Sequence, residues 1–447
     1  MRRLVNPNYP FNPAKWPFFY GWMILVWGTI GMLMSIPGQT MGVSVFTESL
    51  LDELVVNRDQ LSIAYMLGTM GSAFLLPWVG RLYDRVGARP IAITAGIGLG
   101  TVLLYLSQVD RITEFFQSEP SVALTFILIF LGFMFLRFTG QGVITMVSRN
   151  MMMKWFEKRR GLATGFSNVF VSLGFSISPL LLDSIIVAFD WRMAWILVAV
   201  VVGVIFPVLV YFFFRDNPES SGLKPDGGYV MSERKKKYYF PVKKQFNLKE
   251  VLRSYPFWVF SLILAMQGLY FTGFTFHVVS IFDEVGMPKE AAISIFTPIA
   301  LLAVMITLLT SYISDMIPLR YLLLLKGFGA IISTMGLIFL GEFKFAYYLL
   351  IVGTGIMTGL FAVLTSVTWP RFYGTLHLGA ITSQAVMMSV FASAIGPILF
   401  SLSLTWTGGY GTSSFICFGI FVVLTLAGFW ANNPQIKIPD PETPLKS

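Results

Sequence analysis

Long apolar runs separated by short charged loops set the character of this chain. Ile63 to Val79 carries no charged residue, and neither does Pro90 to Gln108. Apolar stretches of about 18 residues or more have the length to cross a bilayer as helices. Read on that basis, the sequence predicts twelve spans: 18–38, 60–80, 90–108, 121–146, 161–188, 193–214, 255–280, 290–314, 320–341, 345–369, 379–404 and 410–431. The apolar runs are continuous, whereas the strands of an outer-membrane barrel alternate apolar and polar positions over about 10 residues. An all-α membrane protein is therefore expected. Arg2, Arg3 and Lys15 precede an apolar stretch, Phe18 to Pro37, that is too long for a cleavable signal, so it is read as an uncleaved first span.

Composition supports the same class. Of 447 residues, 55% are hydrophobic and 12% charged, with a mean hydropathy of +0.71, beyond what a soluble core requires. With one cysteine, Cys417, and two histidines, neither a disulfide framework nor a structural zinc site is expected. If both termini lie inside, the inner segments collect 26 Lys and Arg and the outer loops 5, leaving Arg137 within a span. That asymmetry orients the chain with cytoplasmic termini. The net charge of +9 then reflects topology and gives no support for nucleic-acid binding. Glu48, Asp52, Glu53 and Asp59 gather outside. Three segments follow: a six-helix half over 1–214, a basic cytoplasmic linker over 215–253, and a second six-helix half over 254–447. Glu233 to Lys237 reads as a solvated basic stretch, with lipid binding by its lysines as the alternative.

The loop between the second and third spans reads Gly80-Arg81-Leu82-Tyr83-Asp84-Arg85-Val86-Gly87-Ala88-Arg89, and its glycines are expected to allow a tight reversal. It resembles the G-x-x-x-D-R-x-G-x-R loop of the major facilitator superfamily, at Gly80, Asp84, Arg85, Gly87 and Arg89. The second half echoes it weakly, with Asp315 and Arg320 at a constant offset from Asp84 and Arg89. Lys154 to Gly165 resembles the W-F-x-x-R-R-G-x-A-x-G junction typical of the monocarboxylate and oxalate-porter branch. The resemblance implies two pseudo-symmetric six-helix halves and transport of a small solute by rocker-switch alternating access. It further implies a conformational latch at the loop residues, with Asp84 pairing to helix ends or basic groups of the facing half. A bacterial inner membrane is the expected location and a monomer the expected state.

Polar groups at membrane depth are costly unless paired or functional. Arg137 lies about four residues past the middle of span 4, roughly 6 Å along the helix, with Gln141 one turn further. It either draws in a substrate anion or relays protonation, or else it bonds carbonyls of span 1 and orders the bundle. Gln267, Tyr270, Phe274 and His277 share one face of span 7, and Thr354, Thr358, Phe361 and Thr365 share one face of span 10. Span 1 offers Ser35 and Gln39, and span 5 offers Asn168 and Ser172. The threonines have a plain alternative in bonding their own helix, and His277 in sitting at the interface. In the superfamily, spans 1, 4, 7 and 10 line the central cavity, which raises these stripes together.

Several features are missing. Relatives in the monocarboxylate and oxalate branch carry basic residues in spans 8 and 11, but 291–315 and 380–404 contain no Lys or Arg. No Asp or Glu lies mid-span. No phosphate-binding G-x-x-x-x-G-K-[ST] run is present, so transport is expected to draw on a solute gradient or a coupling proton or other ion. No cofactor is called for, and no nucleophile–base constellation suggests an enzyme. A transporter of small organic anions leads. A transporter or exporter of a neutral or amphipathic solute follows, then a transport-dead ligand sensor.

Overall fold

The computed structural model describes residues 6–116, 122–230 and 241–439. The basic run Glu233 to Lys237 lies outside the described residues. Described regular structure is helical throughout, an arrangement suited to lipid because each backbone polar group finds its partner within its own segment. Among the described residues, eleven helices are long and apolar enough to cross a membrane, and a shorter apolar one, Gly21–Leu33, precedes them. In chain order they are α1 (Gly21–Leu33), α2 (Arg58–Val86), α3 (Ala88–Leu106), α4 (Val122–Trp155), α5 (Arg160–Ala188) and α6 (Trp191–Phe213). They continue with α7 (Tyr255–Glu284), α8 (Phe296–Ser314), α9 (Leu319–Ile338), α10 (Ala346–Tyr373), α11 (Leu378–Thr407) and α12 (Gly411–Gly428).

Three local departures from the sequence reading shape the site. The first span does not continue unbroken to residue 38. After Leu33 the chain tightens into a 3₁₀ turn, Ile36–Gly38, and restarts as short helices at Thr40–Ser44 and Thr47–Glu53. Pro37 has no N–H to extend the α-helical ladder. The second departure is in the Gly80 to Arg89 loop. Gly80 through Val86 belong to α2, and Gly87 alone, at φ +85°, makes the reversal into α3. The third is in α4, where Arg137–Ile144 winds as a π-helix between two α-helical stretches.

The chain forms two compact units. The first comprises Met1–Phe156, Phe170–Gly228 and Thr382–Gln384. Tyr20 donates its hydroxyl to the Phe213 carbonyl at 2.8 Å, Trp155 its indole N–H to the Arg215 carbonyl at 2.9 Å, and Trp27 stacks on Phe213. The second comprises Glu157–Val169, Tyr229–Ile381 and Ala385–Ser447. Its core holds Tyr270, Phe274, Met357, Phe400, Cys417 and Phe421. Many large apolar side chains stay exposed, Phe170, Leu180, Leu301 and Val423 among them, as lipid-facing positions do.

Candidate functional site

In the first unit, the site grows from a close approach of two glycines. A Cβ on Gly140 would meet the Cα of Gly38 at 2.8 Å, and one on Gly38 would meet the Leu136 carbonyl at 2.6 Å. The 3₁₀ turn after α1 therefore lies directly on the π-helical stretch. That contact delivers the Gly38 carbonyl to Arg137, whose Nη1 donates to it at 3.1 Å and to Thr40 Oγ1 at 3.4 Å. The guanidinium also lies 5.2 Å from the centroid of the Tyr65 ring, and Tyr65 donates its hydroxyl to Thr40. Arg137 is 3% exposed, its Nε is buried without a partner, and no carboxylate among the described residues pairs with it. Thr40, by contrast, is exposed. A buried cation held only by neutral groups keeps unspent attraction for an anion. π-Helical bulges are concentrated at functional sites.

Ser35 and Gln39 are brought together by Thr145, which sequence reading did not single out. Gln39 Nε2 donates to Ser35 Oγ at 2.9 Å and to Thr145 Oγ1 at 3.4 Å, and Thr145 donates to Ser35 at 3.0 Å. Gln141, on the π-helical stretch, is partly buried. Asn168 belongs to the second unit, with a buried Nδ2 that has no partner.

The second unit holds a group that charge counting misassigned. Arg137 is not the one basic residue within a span: Arg149 lies in α4, and Lys326 lies seven residues into the twenty-residue α9 and is 1% exposed. The only sequence sign of Lys326 is its isolation in the apolar run Leu322 to Ala330. Its ammonium donates to Gln267 Oε1 and, at 2.9 Å, to the Met357 carbonyl, and lies 5.3 Å from the Phe361 ring centroid. Tyr270 and Ser333 share a hydrogen bond of 2.9 Å, and Ser333 and Thr354 one of 2.6 Å, so α7, α9 and α10 are tied by a chain of hydroxyls. The Thr358 hydroxyl is buried without a partner. His277 stands apart from this cluster. Its Nε2 meets the Pro397 carbonyl at 3.0 Å and its Nδ1 the Tyr410 hydroxyl at 3.3 Å. Nearby, Glu284, Glu342, Tyr410 and Ser414 help line a cavity of about 430 Å³ that includes none of the Lys326 cluster.

The loop residues separate by environment. Arg85 is exposed, Asp84 is partly buried and partnered, and Arg89 is 4% exposed, donating to the carbonyls of Phe214 at 3.1 Å and Asn6 at 3.2 Å. Arg320 donates to Asn432 Oδ1 at 2.7 Å. Asp315 is the group that ties helices together. Its carboxylate accepts from the backbone N–H groups of Gly161 at 3.2 Å and Leu162 at 3.4 Å, and pairs with Arg371 at 2.9 Å. A carboxylate at the first turn of α5 is favoured both by the unsatisfied amides there and by the helix dipole.

The chain is similar in sequence and fold to known proteins. A 25% identical stretch of 179 residues links the chain to the hexuronate transporter of Bacillus subtilis (strain 168), covering 40% of this chain and 39% of the relative. A 23% identical stretch of 238 residues links it to the oxalate:formate antiporter of Oxalobacter formigenes, covering 53% and 50%. The chain thus spans half or less of the length of these curated relatives, which fit the oxalate-porter-like branch. In fold, the chain matches the proton:xylose symporter XylE over 91% of its length and 94% of that structure, with a TM-score of 0.66 and 16% identity. It also matches a bacterial homologue of the iron transporter ferroportin, over 91% and 99%, with a TM-score of 0.67 and 15% identity. The twelve-helix, two-half architecture is that of these transporters. A sequence profile described as Major Facilitator Superfamily matches residues 28–397, and the chain belongs to that superfamily of multi-pass membrane proteins.

Proposed function

We propose that the solute is a small organic anion such as a monocarboxylate, carried by rocker-switch alternating access, with Arg137 as its counter-charge. The observation that carries this reading is the state of Arg137: buried, with an unpartnered Nε and no carboxylate beside it among the described residues. Its bonds to the Gly38 carbonyl and Thr40 Oγ1 also serve the structural role open to it in the sequence, but both come from Nη1 and leave most of the fork unused. The two relatives similar over part of the chain, a hexuronate transporter and an oxalate:formate antiporter, favour an anion as well. We further propose a monomer in a bacterial inner membrane with both termini cytoplasmic, a reading supported by 24 basic residues on the inner side against 5 outside once Arg149 and Lys326 are counted within spans. A proton or other ion is the proposed coupling partner.

The test is ligand-induced thermal stabilisation of purified protein with formate, oxalate, lactate and glucuronate. Wild type is expected to be stabilised by at least one of them. Arg137→Lys keeps the charge but loses the planar fork and should retain a reduced shift, while folded Arg137→Gln should show none. A full wild-type shift in Arg137→Gln rules out the counter-charge role.

A further inference from the structure

We infer that Lys326 is a second anion contact, in the second unit, and that it takes a carboxylate oxygen of the solute with Gln267 and Thr358 as neutral donors beside it. This rests on the anion reading above and supplies what the sequence lacked there, since α8 and α11 contain no basic residue.

Placement comes first. Lys326 is seven residues into α9, about 10 Å along the axis, too deep for its four-carbon stem to reach the end of the helix easily. It is 1% exposed, and no carboxylate among the described residues pairs with it. Two of its three N–H donors are satisfied, by Gln267 Oε1 and the Met357 carbonyl, and the remaining face of the ammonium meets the Phe361 ring. A packing role does not account for a charge here. Buried charged groups can be replaced by apolar side chains of similar volume with no loss of stability, and often with a gain. Methionine would fill the same space between α7, α9 and α10 without the desolvation cost.

The neighbouring orphans point to what is recognised. The hydroxyls of Tyr270, Ser333 and Thr354 satisfy one another and so brace the three helices. Left over are the Gln267 amide N–H₂, which makes no hydrogen bond to a described residue, and the Thr358 hydroxyl, which is buried without a partner. Thr358 shares a face of α10 with Thr354 and Phe361, at spacings of four and three residues. An ammonium, an amide N–H₂ and a hydroxyl together form a donor set, and an ionised carboxylate is an acceptor only. Gln267 Oε1 then holds the place of the ligand while the site is empty. On binding, the anion takes over the ammonium, and the Gln267 side chain turns its N–H₂ toward it.

The test uses full-length protein in proteoliposomes and whichever of labelled formate, oxalate, lactate or glucuronate the wild type takes up fastest. Lys326→Met is expected to keep or raise the thermal midpoint and to raise KM at least tenfold. Thr358→Val, which removes an unpartnered hydroxyl at constant shape, should leave stability unchanged and raise KM two- to fivefold. Lys326→Arg should fall between Lys326→Met and wild type. Wild-type KM in both Lys326→Met and Thr358→Val overturns the assignment, as does a Lys326→Met protein that loses stability while its folded fraction keeps wild-type KM. If Lys326→Met does not fold, unchanged KM in Thr358→Val and Lys326→Arg overturns it. Absence of wild-type uptake for every acid refutes the anion reading itself, a result distinct from uptake that is merely insensitive to Lys326.

Discussion

Asp315→Ala is expected to destabilise the second unit by about 4 kcal/mol, from two sources. The carboxylate is 2% exposed and its partner Arg371 17%, at 2.9 Å. At an effective dielectric constant of about 20, such a pair attracts with roughly 6 kcal/mol, much of which offsets desolvation. Removing one partner of a buried pair costs about 3–5 kcal/mol because the other charge is stranded, and the partial exposure of Arg371 places this case near 3. The Gly161 and Leu162 amides also lose their acceptor, which costs about 1 kcal/mol for a helix cap. With about 2–4 °C per kcal/mol for a unit of some 200 residues, the midpoint should fall by about 10 °C. Asp315→Asn should fall less, since its amide oxygen still accepts from the first turn of α5. Cys417, the single cysteine and a buried one in the second unit, supplies the assay: a thiol-reactive fluorogenic dye reports its exposure on heating. Coupling is checked by the double variant Asp315→Ala, Arg371→Ala, which should cost about 1–3 kcal/mol less than the two single changes together. A midpoint shift under 2 °C for Asp315→Ala, or strict additivity, refutes the reasoning.

Two further outcomes follow from packing and charge in each unit. Burial alone would raise the Asp110 pKa, but hydrogen bonds from Arg192 at 2.5 and 2.7 Å outweigh it and hold the carboxyl below its ordinary value. A depressed carboxylate contributes stability above its unfolded pKa, about 3.9, and loses it as pH falls through the folded value. Tryptophan fluorescence of the first unit should therefore show a midpoint that drops below about pH 4 in wild type and drops less in Asp110→Asn. A Cβ on Gly353 would meet the Gly329 carbonyl at 2.6 Å and the Ser333 backbone. Gly353→Ala should cost about 1–3 kcal/mol by forcing α9 from α10, while Gly419→Ala, which meets nothing within 4 Å, should be neutral; equal midpoints for the two would contradict this.

How far the molecule is legible in its sequence depends on the length scale. Apolar runs long enough to span a bilayer determine helix existence, so the twelve-helix architecture can be read from hydropathy. Details set by a single backbone contact cannot. The π-helical stretch at Arg137 lies so close to the turn at Gly38 that a Cβ on Gly140 would meet the Gly38 Cα at 2.8 Å, a tertiary pairing that no local pattern encodes. Gly80 looks like a turn residue, yet α2 continues through it because only Gly87 adopts positive φ. Lys326 lies only seven positions from the start of α9, where a basic residue has the same sequence signature as one in the preceding loop. Asp315 showed its echo of Asp84, but not its partners Gly161 and Arg371, which lie 154 and 56 residues away.

The most direct measurement is uptake of labelled formate, oxalate, lactate and glucuronate into proteoliposomes, with and without an imposed pH gradient, for wild type and Arg137→Gln reconstituted at equal density. The account predicts saturable wild-type uptake of at least one of these anions, inhibited by its unlabelled form, and a rate at the level of empty vesicles for Arg137→Gln. Wild-type vesicles that accumulate none of the four, or an Arg137→Gln protein that transports an anion at the wild-type rate, would contradict it.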